Sequence, residues 1–267
     1  MMDILDRILA TKRDEVTVLR RPQTRTLLRK VALDAPPTRG FASALRRDDH
    51  HPGLIAEIKR KSPSKGDLAL ELDPSALAKE YEAGGATALS VLTDSPYFGG
   101  AIQDLQAARD AVTIPVLRKD FVIDEVQVYE SRAVGADAIL LILAAISDDS
   151  LLRDLAELAH GLGLGVLVEA HDAAEVERGV ALEIPILGVN ARNLGTFAED
   201  LGGASQLIDL IPPATIAVAE SAIRTADDAQ RMAAAGFDAL LVGEALVRSD
   251  DAQGLARALV APTVTTR

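Results

Sequence analysis

The chain has 267 residues, 48% of them hydrophobic, and carries a formal net charge of −12. The hydrophobic content is enough for a large core and excludes general disorder, while the absence of cysteine excludes disulfides and thiolate metal sites. The acidic excess argues against bulk binding to nucleic acid or to an anionic membrane, because such binding needs a basic surface.

The first 48 residues predict a helical extension. Apolar residues recur at helical spacing from Ile4 to about Leu19, with charged residues between them, as in an amphipathic helix. A second helix is predicted over residues 24–31, before a Pro-Pro pair. Charged residues from Asp3 onward argue against a signal peptide, and the longest apolar run, 138–146, is far shorter than the about 20 residues that cross a bilayer as a helix. We therefore expect a cytoplasmic protein.

From residue 54 onward, short apolar runs alternate with helical patterns, as expected for strands buried on both faces of a parallel sheet. A glycine joins helix to strand in three similar junctions, where it supplies a left-handed helix end. A doubly wound sheet would show the same junctions, but eight unbroken units favour an α/β fold of the (β/α)8 TIM barrel type. We predict one domain, with residues 1–48 as the extension and residues 49–262 as the barrel. The predicted strands are 54–59, 88–92, 116–119, 138–143, 165–169, 186–190, 216–220 and 239–242.

In such a barrel, the chemistry lies at the carboxyl ends of the strands, where the βα loops meet. Glu57 and Lys59 lie two positions apart on the first predicted strand, so their side chains point to the same side. A structural ion pair explains any single charged strand end equally well, but a whole rim of them indicates proton-transfer chemistry. The candidate catalytic residues on this rim are Glu57, Lys59, Lys119, Glu169, Asn190 and Ser221, and Glu220 lies among them.

Two segments predict an anion site at the same end of the barrel. Lys61 and the run 62–66 (SPSKG) follow the first strand, and Gly243 stands between the eighth strand and a predicted helix. Backbone N–H groups at a helix start bind phosphate, and the loops after strands 7 and 8 form the usual phosphate site of these barrels. Alone, each segment is equally well a tight turn or a solvated loop, but together they favour a phosphorylated small molecule.

No cofactor is predicted. The histidines, His50, His51, His160 and His171, have no metal-ligand spacing, so we expect no metal. The glycine-rich run 161–165 precedes a strand, which is the wrong context for a dinucleotide fingerprint. We therefore expect neither a nicotinamide nor a flavin.

Six segments of the chain resemble indole-3-glycerol phosphate synthase, the family of ring-closing enzymes in tryptophan biosynthesis. The resemblance runs over nearly the whole chain and includes the helical extension, and its first two segments are highly specific together. The segments are residues 55–66 (IAEIKRKSPSKG), 117–121 (LRKDF), 168–169 (VE), 188–194 (GVNARNL), 219–223 (AESAI) and 241–246 (LVGEAL).

The resemblance implies a carboxy-lyase that needs no cofactor. Its substrate would be 1-(2-carboxyphenylamino)-1-deoxyribulose 5-phosphate, which closes a ring and loses CO2 and then water to give indole-3-glycerol phosphate. Lys119 would be the general acid of ring closure, while the acid and base roles of dehydration stay undivided among Glu57, Lys59 and Glu169. The implied substrate-binding residues are Lys61, Ser62, Phe98, Phe121, Arg192, Glu220, Ala222, Gly243 and Glu244, with Asn190 and Ser221 beside them.

Three residues depart from the family pattern. Ala222 stands where the family usually has glycine, which puts in question how closely the backbone approaches the phosphate. Ala191 replaces a commonly polar residue. Glu244 would bring a carboxylate near the phosphate, so we expect its side chain to point away.

Other functions stay open. Phosphoribosylanthranilate isomerase would ordinarily use a catalytic cysteine, and a pentose phosphate epimerase would use metal-binding His and Asp at strand ends, and the sequence offers neither. A non-catalytic barrel that only binds a phosphorylated metabolite would be expected to lose some of these acids and bases. We expect no fused pathway domain and a monomer or weak homo-oligomer.

Overall fold

The computed structural model describes residues 4–46, 51–192 and 198–262. Within these ranges, eight parallel strands close into a barrel in which the last strand pairs with the first. This confirms the predicted α/β fold, and every predicted strand end agrees to within one residue. The expected boundary between residues 48 and 49 lies outside the described residues. The barrel strands are β1 (Gly53–Ile58), β2 (Ala88–Leu92), β3 (Val116–Lys119), β4 (Ala138–Ile142), β5 (Gly165–Ala170), β6 (Ile186–Asn190), β7 (Ile216–Glu220) and β8 (Ala239–Val242).

Helices precede the barrel and connect its strands. The second helix starts earlier than predicted because proline suits the first helical position. None of the described helices is long and apolar enough to cross a membrane. The helices are α1 (Ile4–Leu19), α2 (Pro22–Asp34), α3 (Phe41–Leu45), α4 (Pro74–Ala83), α5 (Ser95–Phe98), α6 (Ile102–Ala111), α7 (Glu125–Ala133), α8 (Asp149–Gly161), α9 (Ala173–Ala181), α10 (Leu201–Gln206), α11 (Ala226–Ala235), α12 (Glu244–Val247) and α13 (Ala252–Leu259), with 3₁₀ turns at Leu143–Ala145 and Leu207–Leu210 and a two-stranded ribbon of Lys61–Ser62 and Gly66–Asp67.

The strands bury both faces. On β1, Ile55 packs inside the barrel with Leu117 and Leu167, while Leu54 and Ile58 pack outward against the helices. This alternation places Glu57 on the same face as Ile55, toward the barrel interior. The strands therefore carry an apolar interior that ends in charge at their carboxyl ends.

Helix α1 is fixed to the barrel by a buried ion cluster around Lys12. The Lys12 side chain is 2% exposed, and its Nζ lies 2.8 Å from Asp120 Oδ1 and 3.0 Å from Asp94 Oδ2. Asp94 caps α5, and Asp120 directly follows Lys119 at the end of β3. Burial favours the neutral amine, but the two carboxylates outweigh it and raise the pKa of Lys12. The cluster therefore ties the extension to two loops at the barrel mouth.

Replacing Lys12 by Met should destabilise the protein by about 3–5 kcal/mol, because Asp94 loses its buried ammonium partner, although Asp120 keeps its ion pair with Arg118. Urea unfolding followed by circular dichroism measures this loss. Lys30→Met is the matched control, since Lys30 is exposed on α2 and its change should stay within about 0.5 kcal/mol. Equal unfolding midpoints for the two variants would contradict the anchoring role of Lys12.

Candidate active site

One pocket opens at the carboxyl ends of the strands. Ile4, Leu5 and Ile8 of α1 line it on one side, so the extension forms part of its wall. The structure brings nearly all predicted site residues together here. Those that line the pocket are Glu57, Lys59, Ser62, Phe98, Lys119, Phe121, Glu169, Asn190, Arg192, Glu220, Ser221, Ala222, Gly243 and Glu244.

Lys119 lies between two carboxylates at the end of β3. Its Nζ is 2.6 Å from Glu169 Oε2 on β5 and 3.1 Å from Glu220 Oε2 on β7. Burial alone would favour the neutral amine, but Glu169, Glu220 and then Glu57 outweigh it and raise the pKa of Lys119. The ammonium therefore stays protonated throughout the neutral pH range.

The two carboxylates beside Lys119 differ in their affinity for a proton. Burial raises the pKa of Glu220 to about 8; Lys119 opposes this shift and the neighbouring charge of Glu169 adds to it. Burial acts in the same direction on Glu169, but there Lys119 and His171 outweigh it and hold the pKa well below the usual range. Of the two carboxyl groups, Glu169 is therefore the one that ionises first, and Glu220 is the one that keeps its proton to higher pH.

A second lysine lies near the eighth strand. Lys59 forms an ion pair with Glu57, as its spacing on the first strand predicts. Ser90 Oγ donates to the other oxygen of Glu57 at 3.4 Å. A Cβ at Gly243 would overlap Glu57 Oε1 and would lie 3.1 Å from Lys59 Nζ, so only glycine leaves room for this pair.

Asn190 and His171 surround the other end of Glu169. Asn190 Nδ2 donates to Glu169 Oε1 at 3.0 Å, and Asn190 Oδ1 accepts from the backbone N–H of Arg192 at 3.0 Å. His171 Nε2 lies 3.2 Å from the same Glu169 oxygen. Sequence reasoning missed this histidine, which lies two residues after Glu169 and just beyond the end of β5, because the histidines were weighed only for metal-ligand spacing.

Arginines and serines lie at the opposite end of the pocket, where the sequence predicts an anion site. Arg192 donates to Ser64 Oγ at 2.9 Å and pairs with Glu199, which also pairs with Arg224. The expectation that Glu244 points away is wrong, because its side chain lines the pocket and its Oε2 lies 3.7 Å from Arg192, whose positive charge attracts the carboxylate. Sequence reasoning missed Arg224 and Glu199 as parts of this end, because the pairing spans distant loops.

The backbone after β7 adopts an unusual conformation. Ser221 and Ala222 both have left-handed φ values, 65° and 59°. Such values cost an alanine about 1–2 kcal/mol relative to its ordinary conformations. The alanine thus keeps the backbone path that glycine would take, at the cost of local strain beside the pocket.

Phe98 and Phe121 form an apolar wall, with ring centroids 6.2 Å apart. Asp94 Oδ1 accepts from the backbone of Tyr97 and Phe98, which fixes the helix that carries the first ring. Lys61 is the predicted site residue that the structure places outside the pocket lining. Its Nζ donates to the carbonyl of Pro96 at 3.1 Å, so this lysine holds the loop that carries Phe98.

A family model described as indole-3-glycerol phosphate synthase matches residues 5–259. The chain belongs to this family. Three relatives named indole-3-glycerol phosphate synthase are similar to it: those of Laribacter hongkongensis (49% identical, covering 94% of this chain and 96% of the relative), Burkholderia ambifaria (48%, covering 94% and 96%) and Azospirillum brasilense (47%, covering 98% and 100%). These matches confirm the resemblance to indole-3-glycerol phosphate synthase that the motifs predict.

A solved structure supports the fold alone. Thiamine phosphate pyrophosphorylase from Pyrococcus furiosus superposes with a TM-score of 0.57 at 17% identity, and the match covers 78% of this chain and 93% of that chain. At this identity, the likeness reports the barrel architecture and not the chemistry.

Gly243→Ala should lower kcat of the synthase reaction by about 10- to 100-fold, because the added methyl group would push the Glu57 and Lys59 side chains out of position. The φ of Gly243 is −121°, which alanine also adopts, so the fold should be retained. Steady-state kinetics, with circular dichroism as a check on folding, measure this. Gly161→Ala is the control, since a Cβ there meets nothing within 4 Å. Equal kcat values in the two variants would show that the close approach at Gly243 is not required.

Proposed function

We propose that the pocket closes the indole ring of 1-(2-carboxyphenylamino)-1-deoxyribulose 5-phosphate and releases CO2 and water to give indole-3-glycerol phosphate. The observation that carries this assignment is the Lys119 ammonium held between Glu169 and Glu220 at the barrel mouth, in a chain of this family. The reaction is the carboxy-lyase step of tryptophan biosynthesis. Cytoplasmic location and a monomeric or weakly associated state stay predictions.

Ring closure needs a general acid. The ring carbon that bears the carboxylate attacks the ketone carbon, a carbon–carbon bond forms, and the ketone oxygen takes on negative charge. Lys119 donates a proton to this oxygen, because the developing alkoxide is a stronger base than the lysine amine. The flanking carboxylates ensure that Lys119 carries this proton before the reaction begins.

Decarboxylation then restores the aromatic ring. The bond from the ring carbon to the carboxylate breaks, CO2 leaves, and the electron pair returns to the ring. The carboxylate loses its charge in this step, and an apolar surrounding favours that loss. Phe98, Phe121 and Ile142 supply the apolar surface along the pocket.

Dehydration needs an acid for the leaving hydroxyl and a base that takes one hydrogen of the neighbouring ring CH2 group, so that the carbon–carbon double bond of the indole ring forms as water leaves. Glu169 suits the base, because its pKa is held low and it is ionised at neutral pH. Among the described pocket residues, the two ammonium groups are Lys59 and Lys119. We assign Lys59 to the leaving hydroxyl, since Lys119 lies directly against Glu169 and their opposite charges hold it there.

The phosphate end of the substrate fits the arginine and serine end of the pocket. Ser62 is buried, and its Oγ accepts a hydrogen bond from the backbone N–H of Lys65 at 3.2 Å. The Oγ of Ser64 lies 3.4 Å from the Oγ of Ser62, within hydrogen-bond distance. Arg192, together with the backbone N–H groups after β7 and at the start of α12, supplies donors for a phosphate. The substrate would therefore lie with its phosphate at this end and its aromatic ring against Phe98 and Phe121.

Lys119→Ala should lower kcat by about 10²–10⁴-fold, because it removes the general acid. The chain contains no tryptophan, so fluorescence of the indole product rises on an almost dark protein background. The control is Lys79→Ala, whose side chain is exposed on α4 and should leave turnover unchanged.

A Lys119→Ala variant that keeps most of the wild-type turnover would overturn the assignment of the acid. Folded wild-type protein that binds the substrate without producing an indole signal would instead support the binding-only barrel.

A further inference from the structure

His171 lies immediately behind Glu169, on the side away from Lys119. Its Nε2 is 3.2 Å from Glu169 Oε1, and its Nδ1 is 3.0 Å from Glu175 Oε2. The side chain is 10% exposed, so the ring is largely shielded from water. One carboxylate therefore lies beside each of the two ring nitrogens of His171.

The first turn of α9 fixes this arrangement. Asp172 caps α9 by accepting from the backbone N–H of Glu175 at 2.9 Å. Glu175 Oε2 in turn accepts from the backbone N–H of His171 at 2.8 Å. The histidine ring is thus held by its own helix cap, and its orientation does not depend on a bound substrate.

The pair Glu169 and Glu220 poses a problem of charge. Both carboxyl groups are buried, and both contact the ammonium of Lys119. Its one positive charge cannot fully compensate two negative charges. The two residues sit on alternate strands and differ mainly in what lies behind them. Behind Glu169 stand His171 and Asn190, whereas Gly188, which has no side chain, faces Glu220.

We propose that His171 is a positioning residue: its imidazolium, held by Glu175, keeps Glu169 as the ionised carboxylate of the pair and leaves the shared proton on Glu220. Only the consequence for catalysis, an ionised base at Glu169, rests on the function proposed above; the placement of the charges is independent of that function.

The charges around the pair agree with this role. Burial disfavours the charged ring, but Glu169 and Glu175 outweigh it and raise the pKa of His171 to about 10. The other charged groups that face Glu169 are Lys119 from β3 and Glu220 from β7. Glu57 from β1 acts on Lys119 from the far side.

Loss of the His171 charge should raise the pKa of Glu169. An opposite charge within about 4–6 Å lowers the pKa of a carboxyl group by about 1–3 units. Removing the charge of His171 therefore raises the pKa of Glu169, so Glu169 takes up protons at a higher pH. The base is lost sooner as pH falls, and the acid limb of activity moves toward neutral pH.

His171→Gln tests charge separately from orientation, because glutamine keeps an N–H donor toward Glu169 and carries no charge. We expect the acid limb of the kcat/KM profile to move up by about one pH unit, with little change of KM at the plateau. The matched control is His160→Gln, an exposed histidine at the end of α8, which should keep the wild-type profile. An unshifted profile in His171→Gln would overturn the proposal.

A second readout does not depend on turnover. In protein labelled with ¹⁵N-histidine, His171 should show two protonated ring nitrogens at pH 8, while a neutral ring at pH 7 would overturn the proposal. Glu175→Gln, which leaves Glu169 and Lys119 in place, should lower the pKa of His171, so the ring should lose its second proton at a lower pH than in wild type. This titration replaces the activity profile if His171→Gln does not fold, and a His171 titration equal to wild type in Glu175→Gln would count against the proposal. Wild-type protein without synthase activity but with a protonated His171 would instead contradict the proposed function alone.

Discussion

A buried ammonium held by more than one carboxylate is the interaction on which the site depends. Lys119 from β3 contacts Glu169 from β5 and Glu220 from β7, and Glu57 from β1 occupies the same level of the barrel. In TIM barrels the interior fills in layers of four side chains from alternate strands. Here the uppermost layer comes from the odd-numbered strands and is polar, whereas Ile55 and Leu167 belong to the apolar packing of the barrel interior.

A layer with three carboxyl groups needs nearby positive charge for each one that is ionised, because isolated charges are costly to bury. Lys119 and Lys59 each pair with members of the layer, and His171 adds a third cation behind Glu169. Space is as tightly constrained as charge. A Cβ at Gly188 on β6 would overlap Glu220, and a Cβ at Gly243, just after β8, would overlap Glu57, so these two glycines make room for the acids.

The sequence predicts the strands well because each is an apolar run of four to six residues between helical patterns, which is too short for a helix and typical of a strand buried on both faces. It predicts Glu57, Lys119 and Glu220 because a charge at the end of an apolar strand is conspicuous. It does not predict the roles of Lys12 and His171. Both look like solvent-facing residues of amphipathic segments, and their partners lie far away in sequence or depend on how a helix is capped. For Lys61 the sequence misleads in the opposite way. This lysine lies in the loop that carries the predicted anion site, but its side chain turns away from the pocket and donates to the carbonyl of Pro96.

We expect one of the two acids beside Lys119 to keep its proton at neutral pH, and the titration of Glu220 would show it. Glutamate labelled with ¹³C at the carboxyl carbon should give one NMR signal that titrates near pH 8, in keeping with the pKa of about 8 that burial gives Glu220. That signal should be absent from Glu220→Gln. If every glutamate in the wild-type protein were already ionised at pH 6, the account of how the site distributes its charge would be contradicted.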